Sequence, residues 1–552
     1  MQGLSTPDYL IFLLYFILVA GYGLWIYRKK AKVETSSTDF FLAEGALTWW
    51  AIGASLIASN ISAEQFIGMS GSGFKIGLAI ASYEWMAAAT LILVAVFFMP
   101  VYLKNRIYTM PQFLEKRFNP QVAAVMAVFW LLLYVGVNLT AILYLGALAI
   151  QSLSGLSPLW GMTGLAVFAL IITIGGMKVI GFTDIIQVFF LIIGGLATTW
   201  LAVTLIAEHN GHKGFLTGLL HMPTLAADHF QMILPKNHPS FLDLPGISVV
   251  AGGMWIANLN YWGCNQYITQ RALGADLKTA RNGILFAAFL KLLMPVIVVL
   301  PGIAAYILFQ QGYFPSEGEF NPDKAYPTLM NLLPVGLRGL SFAALTAAIV
   351  ASLAGKANSI ATIFTLDLYK KHFRPAAGEE ELIRAGRWSI VLSLLVAVGI
   401  APYLGIDKTG GFQMIQEYTG FLSPGIFAMF LLGLFWRKTT SAAALFAMIG
   451  GFGCSLLLKF LPEFMALDFL APFGWSAPNA AGVYEIAFLD RMMIVFMFCI
   501  TGMMLLSLGA KSKTKDDTPF RIPVEQFYPH SIFRYGSLLI LLLLLIIYIY
   551  FR

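Results

Sequence analysis

The stretch that decides the fold is Ala54-Ser-Leu-Ile-Ala-Ser-Asn-Ile-Ser-Ala-Glu-Gln-Phe-Ile-Gly68. It lies within a longer apolar run, Leu47–Gly71, which is long enough to cross a membrane as a helix of about 20 residues. Its centre nevertheless carries an asparagine, a serine, a glutamate and a glutamine. Polar groups at membrane depth are costly, so they are expected where a helix lines a cavity or binds something. The stretch therefore predicts an interrupted membrane helix at a functional site.

The composition of the whole chain is that of a membrane protein. Hydrophobic residues make up 59% of its 552 residues and charged residues 11%, against roughly 25% charged residues in soluble domains. The apolar runs predict an all-α polytopic membrane protein with about 14 transmembrane helices. The net charge of +7 does not indicate nucleic acid, because the basic residues lie in short loops between apolar runs. We expect the lipid bilayer as a partner, with no nucleic acid and no obligatory protein partner.

The loops predict the orientation of the chain in the membrane. Lysine and arginine collect in alternate loops, beginning with Arg28–Lys32 after the first span. Because cytoplasmic loops carry the excess of positive charge, both termini are expected outside. Cys264, Cys454 and Cys499 fall within predicted spans, so no structural disulfide is implied. Since no glycosylation sequon lies in a predicted outer loop, we expect a multi-pass protein of the plasma membrane, in a bacterial inner membrane.

A second interruption lies five spans after the first. The seventh predicted span, Ile247–Tyr267, breaks its apolar run with Asn258, Asn260 and Asn265. Interrupted segments at corresponding places in two halves of a chain indicate a transporter built from inverted repeats, with substrate and ion sites at the breaks. The two interruptions therefore predict transport as the function.

Longer motifs surround both interruptions and extend the pattern. They are Ala58–Gly71, Ala81–Met86, Gly175–Gln187, Trp262–Arg271 and Gln416–Gly425. In these motifs the chain resembles the sodium/solute symporter family, and within it the sodium/galactose and sodium/glucose cotransporters.

This resemblance implies a leucine-transporter-like 5+5 inverted-repeat core, in which the first helix of each repeat is broken. It also implies a division of the chain into an N-terminal accessory span, two core repeats and C-terminal accessory spans. The expected bounds are 1–43 for the N-terminal span, 44–207 for core repeat one, 208–436 for core repeat two with an outer loop at 208–246, and 437–552 for the C-terminal spans.

The resemblance also implies roles for individual residues, within a secondary active transporter that takes up a galactose- or glucose-like hexose by symport with Na+. The residues expected to hold the sugar are Gln65, Glu84, Asn258, Lys291 and Gln416, with Tyr261 stacking on the ring as an inner gate. The residues expected to form the outer hydrophobic gate are Met69, Tyr83 and Phe412.

These residue types suit a neutral sugar. Amides donate to and accept from paired hydroxyls, whereas Glu84 accepts and Lys291 donates. The apolar face of a pyranose suits an aromatic ring such as that of Tyr261. The alternative is that Glu84 and Lys291 only neutralise each other and that the amides join helices. Glu64 is interpreted as structural, because adjacent helical residues such as Glu64 and Gln65 face about 100° apart.

The Na+ site requires several oxygen ligands at close range. The resemblance implies the carbonyls of Ala58, Ile61 and Ala348, together with two successive serine hydroxyls on the ninth span. Only the second serine, Ser352, is present, because Ala351 stands in place of the first.

Lys356 is a further departure, since it lies four residues after Ser352 and on the same helix face. An ammonium there would weaken Na+ binding or replace the ion, which would make transport sodium-independent or proton-linked. The sequence favours another interpretation, in which the lysine stem carries its charge to a wet inner vestibule and touches no ion. Ala87 and Asn260 stand where a serine and a tyrosine are usual in the family, which leaves the exact sugar open.

Other functional classes have weaker support. Hydrolytic or redox chemistry usually requires His, Cys or paired carboxylates in the membrane, but the seven histidines fall outside the predicted spans. Five of them share the outer loop, at positions 209, 212, 221, 229 and 238, with no compact metal-ligand spacing. We therefore expect no enzymatic activity, and a non-transporting membrane sugar sensor remains the alternative to a transporter.

Overall fold

The computed structural model describes residues 4–30, 48–107, 109–173, 176–314, 320–403, 410–510, 520 and 522–552. Lys32, the first expected domain boundary at 43/44 and Gly175 lie outside these residues. The described chain is almost entirely helical, and its two short strands, β1 (Ala477–Pro478) and β2 (Tyr484–Glu485), pair antiparallel.

The α-helices are numbered here in chain order. They are α1 Thr6–Lys30, α2 Trp49–Asn60, α3 Ser70–Ile76, α4 Ser82–Leu93, α5 Met99–Lys104, α6 Met110–Arg117, α7 Pro120–Leu133, α8 Thr140–Ser154, α9 Pro158–Thr173, α10 Gly176–His209, α11 Phe215–Leu225, α12 Ile247–Ala251, α13 Gly253–Leu259, α14 Gln266–Leu273, α15 Leu277–Val298, α16 Leu300–Gln310, α17 Ala325–Asn331, α18 Leu337–Thr362, α19 Glu379–Ile400, α20 Gly411–Gly420, α21 Ser423–Phe435, α22 Ser441–Leu445, α23 Gly451–Phe460, α24 Phe488–Gly509 and α25 Ser531–Tyr550.

Several of these helices are joined by turns of π-helix or 3-10 helix. The π-helical segments are Glu64–Met69, Val94–Phe98, Tyr134–Leu139, Asn260–Cys264, Ile363–Phe373 and Phe446–Gly450. The 3-10 segments are Leu78–Ala81, Ala227–Phe230, Pro322–Lys324, Ala401–Tyr403, Leu461–Glu463, Asp468–Phe473 and Val524–Phe527.

The described residues contain nine helices that are long and apolar enough to cross a membrane, or ten if the bent pair α20 and α21 counts as one span. The two helices of that pair meet at an angle of 49°. The predicted count of 14 is not confirmed, partly because broken segments such as α2 and short ones such as α9 fall below the length of a continuous span. The prediction of a multi-pass helical membrane protein is confirmed.

The chain divides into two compact units that interleave along the sequence. Unit 1 consists of Met1–Ala81, Leu131–Gln231 and Phe289–Ile415, and unit 2 consists of Ser82–Trp130, Met232–Ala288 and Gln416–Arg552. The expected division into repeats and accessory spans stays a prediction.

Unit 1 is built around α18, whose side chains are buried along almost its whole length. Helices α1, α2, α9, α10 and α19 pack against it. Helix α1 is joined to the start of α18 by a buried ion pair, in which the carboxylate of Asp8 accepts from the guanidinium of Arg338 at 2.8 Å. The same carboxylate also accepts from the backbone N–H groups of Gly336 and Gly339.

Unit 2 has α24 at its centre. Helices α13, α21 and α23 pack against α24, and α13 also packs against α4. The carboxylate of Glu417, on α20, forms ion pairs with Arg491 at 2.5 Å and with Lys459 at 2.7 Å. This cluster fastens α20 to α23 and α24 within the unit.

Candidate functional site

The first interruption, in unit 1, is a helix break that is capped by side chains just after it. Helix α2 ends at Asn60, and Ile61 has extended backbone with φ −83° and ψ 118°. Ser62 forms a bend, and helical structure resumes at Ala63. The hydroxyl of Ser62 accepts from the N–H of Glu64 at 3.1 Å, and its N–H donates to Oε1 of Gln65 at 3.0 Å. The bond from the Ser62 N–H to the Gln65 side chain is one half of a capping box, and the Ser62 hydroxyl caps the N–H of Glu64 in place of that of Gln65. The predicted interruption of this helix is confirmed.

The break releases backbone carbonyls from helical hydrogen bonds. In a continuous helix the N–H of Ser62 would bond to the carbonyl of Ala58, and the N–H of Gln65 to that of Ile61. Instead, the first donates to the Gln65 side chain, and the second donates to the Ser62 carbonyl at 3.2 Å. Ala58 and Ile61 are both buried. Their carbonyls therefore remain available as ligands at the end of α2.

Helix α18 packs against α2 and contributes the other predicted ligands of the cation. Ala348 and Ser352, one turn apart on α18, are both buried. The hydroxyl of Ser352 has no hydrogen-bond partner among the described residues. Buried polar atoms are normally paired, so an orphaned hydroxyl on a helix that packs against α2 fits a ligand that arrives from outside the chain. A set of carbonyl and hydroxyl oxygens is the donor chemistry that a hard cation such as Na+ prefers.

Lys291, on α15, also reaches the break in α2. Its side chain is buried, and its ammonium donates to Oδ1 of Asn60. Because Asn60 is the last residue of α2, this contact places a positive charge at the negative end of the helix dipole. Lys291 is thus held at the first interruption, and its role toward the sugar stays a prediction.

A second lysine contacts the other side of the break. Lys356, on α18, lies 3.0 Å from the carboxylate of Glu64, and its side chain is 3% exposed. The interpretation in which this lysine extends to a wet vestibule is therefore wrong, because a buried ammonium is stabilised here by a buried carboxylate. The structural interpretation of Glu64 agrees with this contact, since Glu64 and Gln65 bond in different directions.

The second interruption lies in unit 2. Helix α13 passes into a π-helical turn, Asn260–Cys264, and Asn265 then has extended backbone with φ −91° and ψ 122°. The hydroxyl of Tyr102 donates to the carbonyl of Gly263 at 2.8 Å, which fixes the end of this turn. The predicted interruption of the seventh span is confirmed, and π-helical turns of this kind are frequent at functional sites.

Unit 2 also holds four of the residues expected to bind sugar. Asn258 is buried on α13 and donates to the Met254 carbonyl at 3.1 Å. Glu84 is buried on α4, which packs against α13. Tyr261 packs edge-on against its neighbour Trp262, with 5.2 Å between the ring centroids. Gln416 is partly exposed on α20.

The expected outer gate is divided between the units in the same way. In unit 1, Met69 and Phe412 are buried, and the backbone of Phe412 approaches Gly68 so closely that a Cβ there would lie 2.9 Å from its nitrogen. Tyr83 is buried in unit 2. Within unit 1 the structure brings Gln65 and Lys291 to one break, and it packs the helix that carries Ala348 and Ser352 against α2. The cation site, the complete sugar site and the gate stay predictions.

The sequence prediction gave no site role to three polar residues near these features. Gln413, next to Phe412 on α20, is buried, and neither polar atom of its amide has a partner among the described residues. Asn260 donates to the Ser423 hydroxyl at 3.1 Å, which joins the second break to the start of α21. The sequence marked Asn260 as part of the second interruption and as a departure from the family pattern, but neither signal revealed its partner. The amide of Gln413 gave no signal that separated it from Gln416.

Asp323, in the loop before α17, is the third of these residues. Its Oδ2 accepts from the N–H of Gly411 at 2.9 Å, and a Cβ at Gly71 would lie 2.5 Å from its Oδ1. Burial raises the pKa of this carboxyl to about 7. The residue thus links α3, the helix that follows the first break, to the start of α20 through a group whose pKa burial raises to about 7.

The histidines of the predicted outer loop make other contacts in the described part of the structure. Among the residues that the structure describes, no group of three or more His, Cys, Asp or Glu side chains is placed to hold a metal ion. His229 instead stacks on Tyr306, with 3.9 Å between the ring centroids, and bonds to the carbonyl of Phe74 at 3.0 Å. This part of the loop is therefore packed against α3 and α16 of unit 1.

Comparison with known proteins gives a consistent result over the whole chain. A model of the sodium:solute symporter family matches residues 40–451. A sodium/glucose cotransporter from Vibrio parahaemolyticus is 46% identical over 562 aligned residues, covering 100% of this chain and 99% of that protein. The human sodium/myo-inositol cotransporter 2 is 34% identical, covering 85% of this chain and 71% of that protein.

Solved structures support the fold. A Na+-coupled sialic acid symporter in a substrate-bound outward-open state matches with a TM-score of 0.74 at 19% identity, covering 94% of this chain and 99% of that one. A nucleobase-cation-symport-1 family transporter in a closed conformation matches with a TM-score of 0.50 at 14% identity, covering 88% of this chain and 98% of that one. At these identities the likeness concerns the fold alone.

Proposed function

We propose that this chain, which belongs to the sodium:solute symporter family and is therefore a Na+-coupled solute symporter, carries a hexose of the galactose or glucose type. The observation that carries the proposal is the 46% identity, over the entire chain, to a protein named as a sodium/glucose cotransporter. The chemistry of the residues at the breaks agrees with it, because amides, a carboxylate and an ammonium together satisfy hydroxyls that both donate and accept.

The structure of the first break offers a route by which ion and sugar binding are coupled. The carbonyls of Ala58 and Ile61 and the hydroxyl of Ser352 would hold Na+ between α2 and α18. The side chain of Gln65 caps the same break, so an ion that orders Ala58 and Ile61 also positions the amide that faces the sugar. Occupation of one site would raise the affinity of the other, which is the reciprocal coupling that symport requires.

The proposed cycle is alternating access. Na+ binding would fasten the broken helix α2 to α18 and complete the sugar site, and loss of Na+ to the cytoplasm would release both. Met69, Tyr83 and Phe412 would close the site on the outer side, and Tyr261 on the inner side. In this proposal the ion gradient supplies the free energy for uptake against a sugar gradient.

The test uses purified protein in proteoliposomes. Uptake of radiolabelled galactose and glucose should require an inward Na+ gradient and should stop when choline replaces Na+. Gln65→Ala and Asn258→Ala, one in each unit, should each reduce the kcat/KM for uptake at least tenfold, which corresponds to about 1.4 kcal/mol. Gln151→Ala removes an exposed amide from α8 and is the matched control.

Competition identifies the class of solute. Unlabelled galactose or glucose should displace the labelled sugar at lower concentration than myo-inositol or sialic acid. A lower inhibitory concentration for myo-inositol would contradict the hexose proposal and would favour a cyclitol as the solute. Binding of sugar without any uptake would favour the sugar sensor.

The proposed placement is a bacterial inner membrane, with both termini outside. A membrane-impermeant reagent added to intact spheroplasts should label single cysteines introduced near residues 5 and 552. Labelling that appears only after the membrane is permeabilised would contradict this orientation.

A further inference from the structure

The ion pair between Glu64 and Lys356 joins the same two helices that carry the proposed Na+ ligands. Glu64 lies two residues beyond the break that follows α2, and Lys356 lies one turn after Ser352 on α18. The pair measures 3.0 Å, with the two side chains 10% and 3% exposed. A rise of 1.5 Å per residue places Lys356 about 6 Å further along α18 than Ser352. The pair is thus a direct neighbour of the proposed ion site.

A buried carboxylate in this position requires a positive partner. Moving an unpaired charge out of water is costly, so buried carboxylates are found paired with cations or coordinated to metals. A carboxylate is also a hard oxygen ligand of the kind that binds Na+. The surroundings of Glu64 are therefore those of a cation site, in which the cation is the ammonium of Lys356.

We propose that Glu64 is the carboxylate of a second monovalent-cation site and that Lys356 occupies it as a tethered cation. A tethered ammonium neutralises Glu64 without crossing the membrane. Because Lys356 takes the place of one diffusible Na+, each solute is accompanied by one Na+ fewer than the oxygen ligands around the break could bind. This inference rests on the proposed Na+-coupled transport, and it concerns residues that have no assigned role in binding the sugar.

The two single variants should change Na+ binding in opposite directions. In Lys356→Met the stem keeps most of its volume but loses its charge, so Glu64 should recruit a diffusible Na+ and the protein should bind one more Na+ than the wild type. In Glu64→Gln the ammonium loses its counter-charge and repels the neighbouring ion, so the half-saturating Na+ concentration should rise at least tenfold. The double variant is neutral, so it should return to the wild-type Na+ count and to within about threefold of its affinity, in the manner of a double-mutant cycle.

The experiment is equilibrium binding of radioactive Na+ to purified full-length protein, with the number of ions per chain as the readout. Lys356→Arg, which keeps the positive charge, is the matched control and should bind the wild-type number. In proteoliposomes, Lys356→Met should also accumulate more sugar than the wild type at the same Na+ gradient, because an additional ion contributes its gradient to each cycle.

An unchanged Na+ count in folded Lys356→Met would overturn the proposal, and so would an unchanged Na+ affinity in Glu64→Gln. If Lys356→Met does not fold, Glu64→Gln and the double variant decide, because a double variant that stays as weak as Glu64→Gln also contradicts a tethered cation. The ion count needs no sugar. A wild-type protein that fails to take up sugar would therefore refute the proposed substrate and leave the cation site to be decided by binding alone.

Discussion

Replacement of Ser352 by alanine tests the proposed Na+ site through a single atom. The hydroxyl of Ser352 is fully buried and has no hydrogen-bond partner among the described residues. In the absence of Na+ this hydroxyl lowers the stability of the folded protein by the desolvation penalty of an unpaired polar group, about 1–3 kcal/mol. In its presence the same oxygen becomes a ligand. The variant should therefore affect the empty and the Na+-bound protein in opposite directions.

The expected magnitude follows from the charge of the ligand. Interactions of a neutral polar group with an ion are worth about 1.5–3 kcal/mol, and tenfold in affinity corresponds to about 1.4 kcal/mol. Ser352→Ala should accordingly weaken Na+ binding roughly 10- to 150-fold. In choline buffer the variant should be at least as stable as the wild type, because the unpaired hydroxyl has been removed.

The assay is thermal unfolding of the detergent-solubilised protein as a function of Na+ concentration. A ligand that binds only the folded state stabilises it in proportion to the logarithm of its concentration relative to Kd. The matched control is Ser359→Ala, two turns further along α18, because the Ser359 hydroxyl already donates to the Gly355 carbonyl at 3.0 Å. Ala351→Ser is the complementary variant and should tighten Na+ binding by supplying the second hydroxyl that the family pattern contains.

A change of less than twofold in the Na+ dependence of Ser352→Ala would refute the reasoning, since the orphaned hydroxyl would then not be a ligand. Equal losses of Na+ dependence in Ser352→Ala and in the Ser359→Ala control would also contradict it, because the effect would come from the packing of α18 and not from a lost ion contact.

Three further predictions follow from contacts inside the units. In an SDS titration, Arg338→Met should lower the free energy of unfolding by about 3–5 kcal/mol, because the buried carboxylate of Asp8 loses its counter-charge and keeps only hydrogen bonds from neutral groups. Lys459→Met, at a pair about one-third exposed, should cost less than about 1 kcal/mol in the same titration, and equal losses would refute the argument. Burial raises the pKa of Asp323 from 3.8 to about 7, so between these values the folded protein holds a proton that the unfolded chain releases. The stability of the wild type should therefore fall as the pH rises from about 4 to about 7, by up to about 4 kcal/mol relative to Asp323→Asn. Parallel pH curves of thermal stability for the two proteins would contradict this. Gln413→Leu should leave the protein at least as stable as the wild type, because it removes a buried amide that has no partner among the described residues. If this amide binds the solute, the variant should also have a lower sugar affinity, and an unchanged affinity in isothermal titration would exclude that role.

The two helix breaks could be predicted from sequence because their signal is local. Asparagine and small residues near the middle of an apolar run are costly in a membrane unless the helix is interrupted there and lines a cavity. The pattern Ser62-Ala-Glu-Gln65 also matches a capping box, so the bond from the Ser62 N–H to the Gln65 side chain was accessible from sequence alone. The prediction instead gave Gln65 a role only toward the sugar, and the structure adds that its amide oxygen caps the helix.

The pairings across the fold could not be predicted in the same way. Lys291 and Asn60 are separated by 231 residues, and Lys356 and Glu64 by 292. Periodicity places a lysine on a helix face but does not reveal which side chain on another helix it meets. The general tendency of lysine to reach an aqueous interface therefore led to a wrong interpretation of Lys356. The position of Lys356 depends on its buried partner Glu64, whose burial follows from tertiary packing.

The most direct test of Na+-coupled sugar transport reverses the roles of the two solutes. Proteoliposomes with equal Na+ on both sides should take up radioactive Na+ when an inward galactose or glucose gradient is imposed, because coupling is reciprocal. The account predicts a transient accumulation of Na+ above its external concentration, which is abolished in Gln65→Ala and unaffected in Gln151→Ala. Sugar entry with no associated Na+ movement would contradict the account.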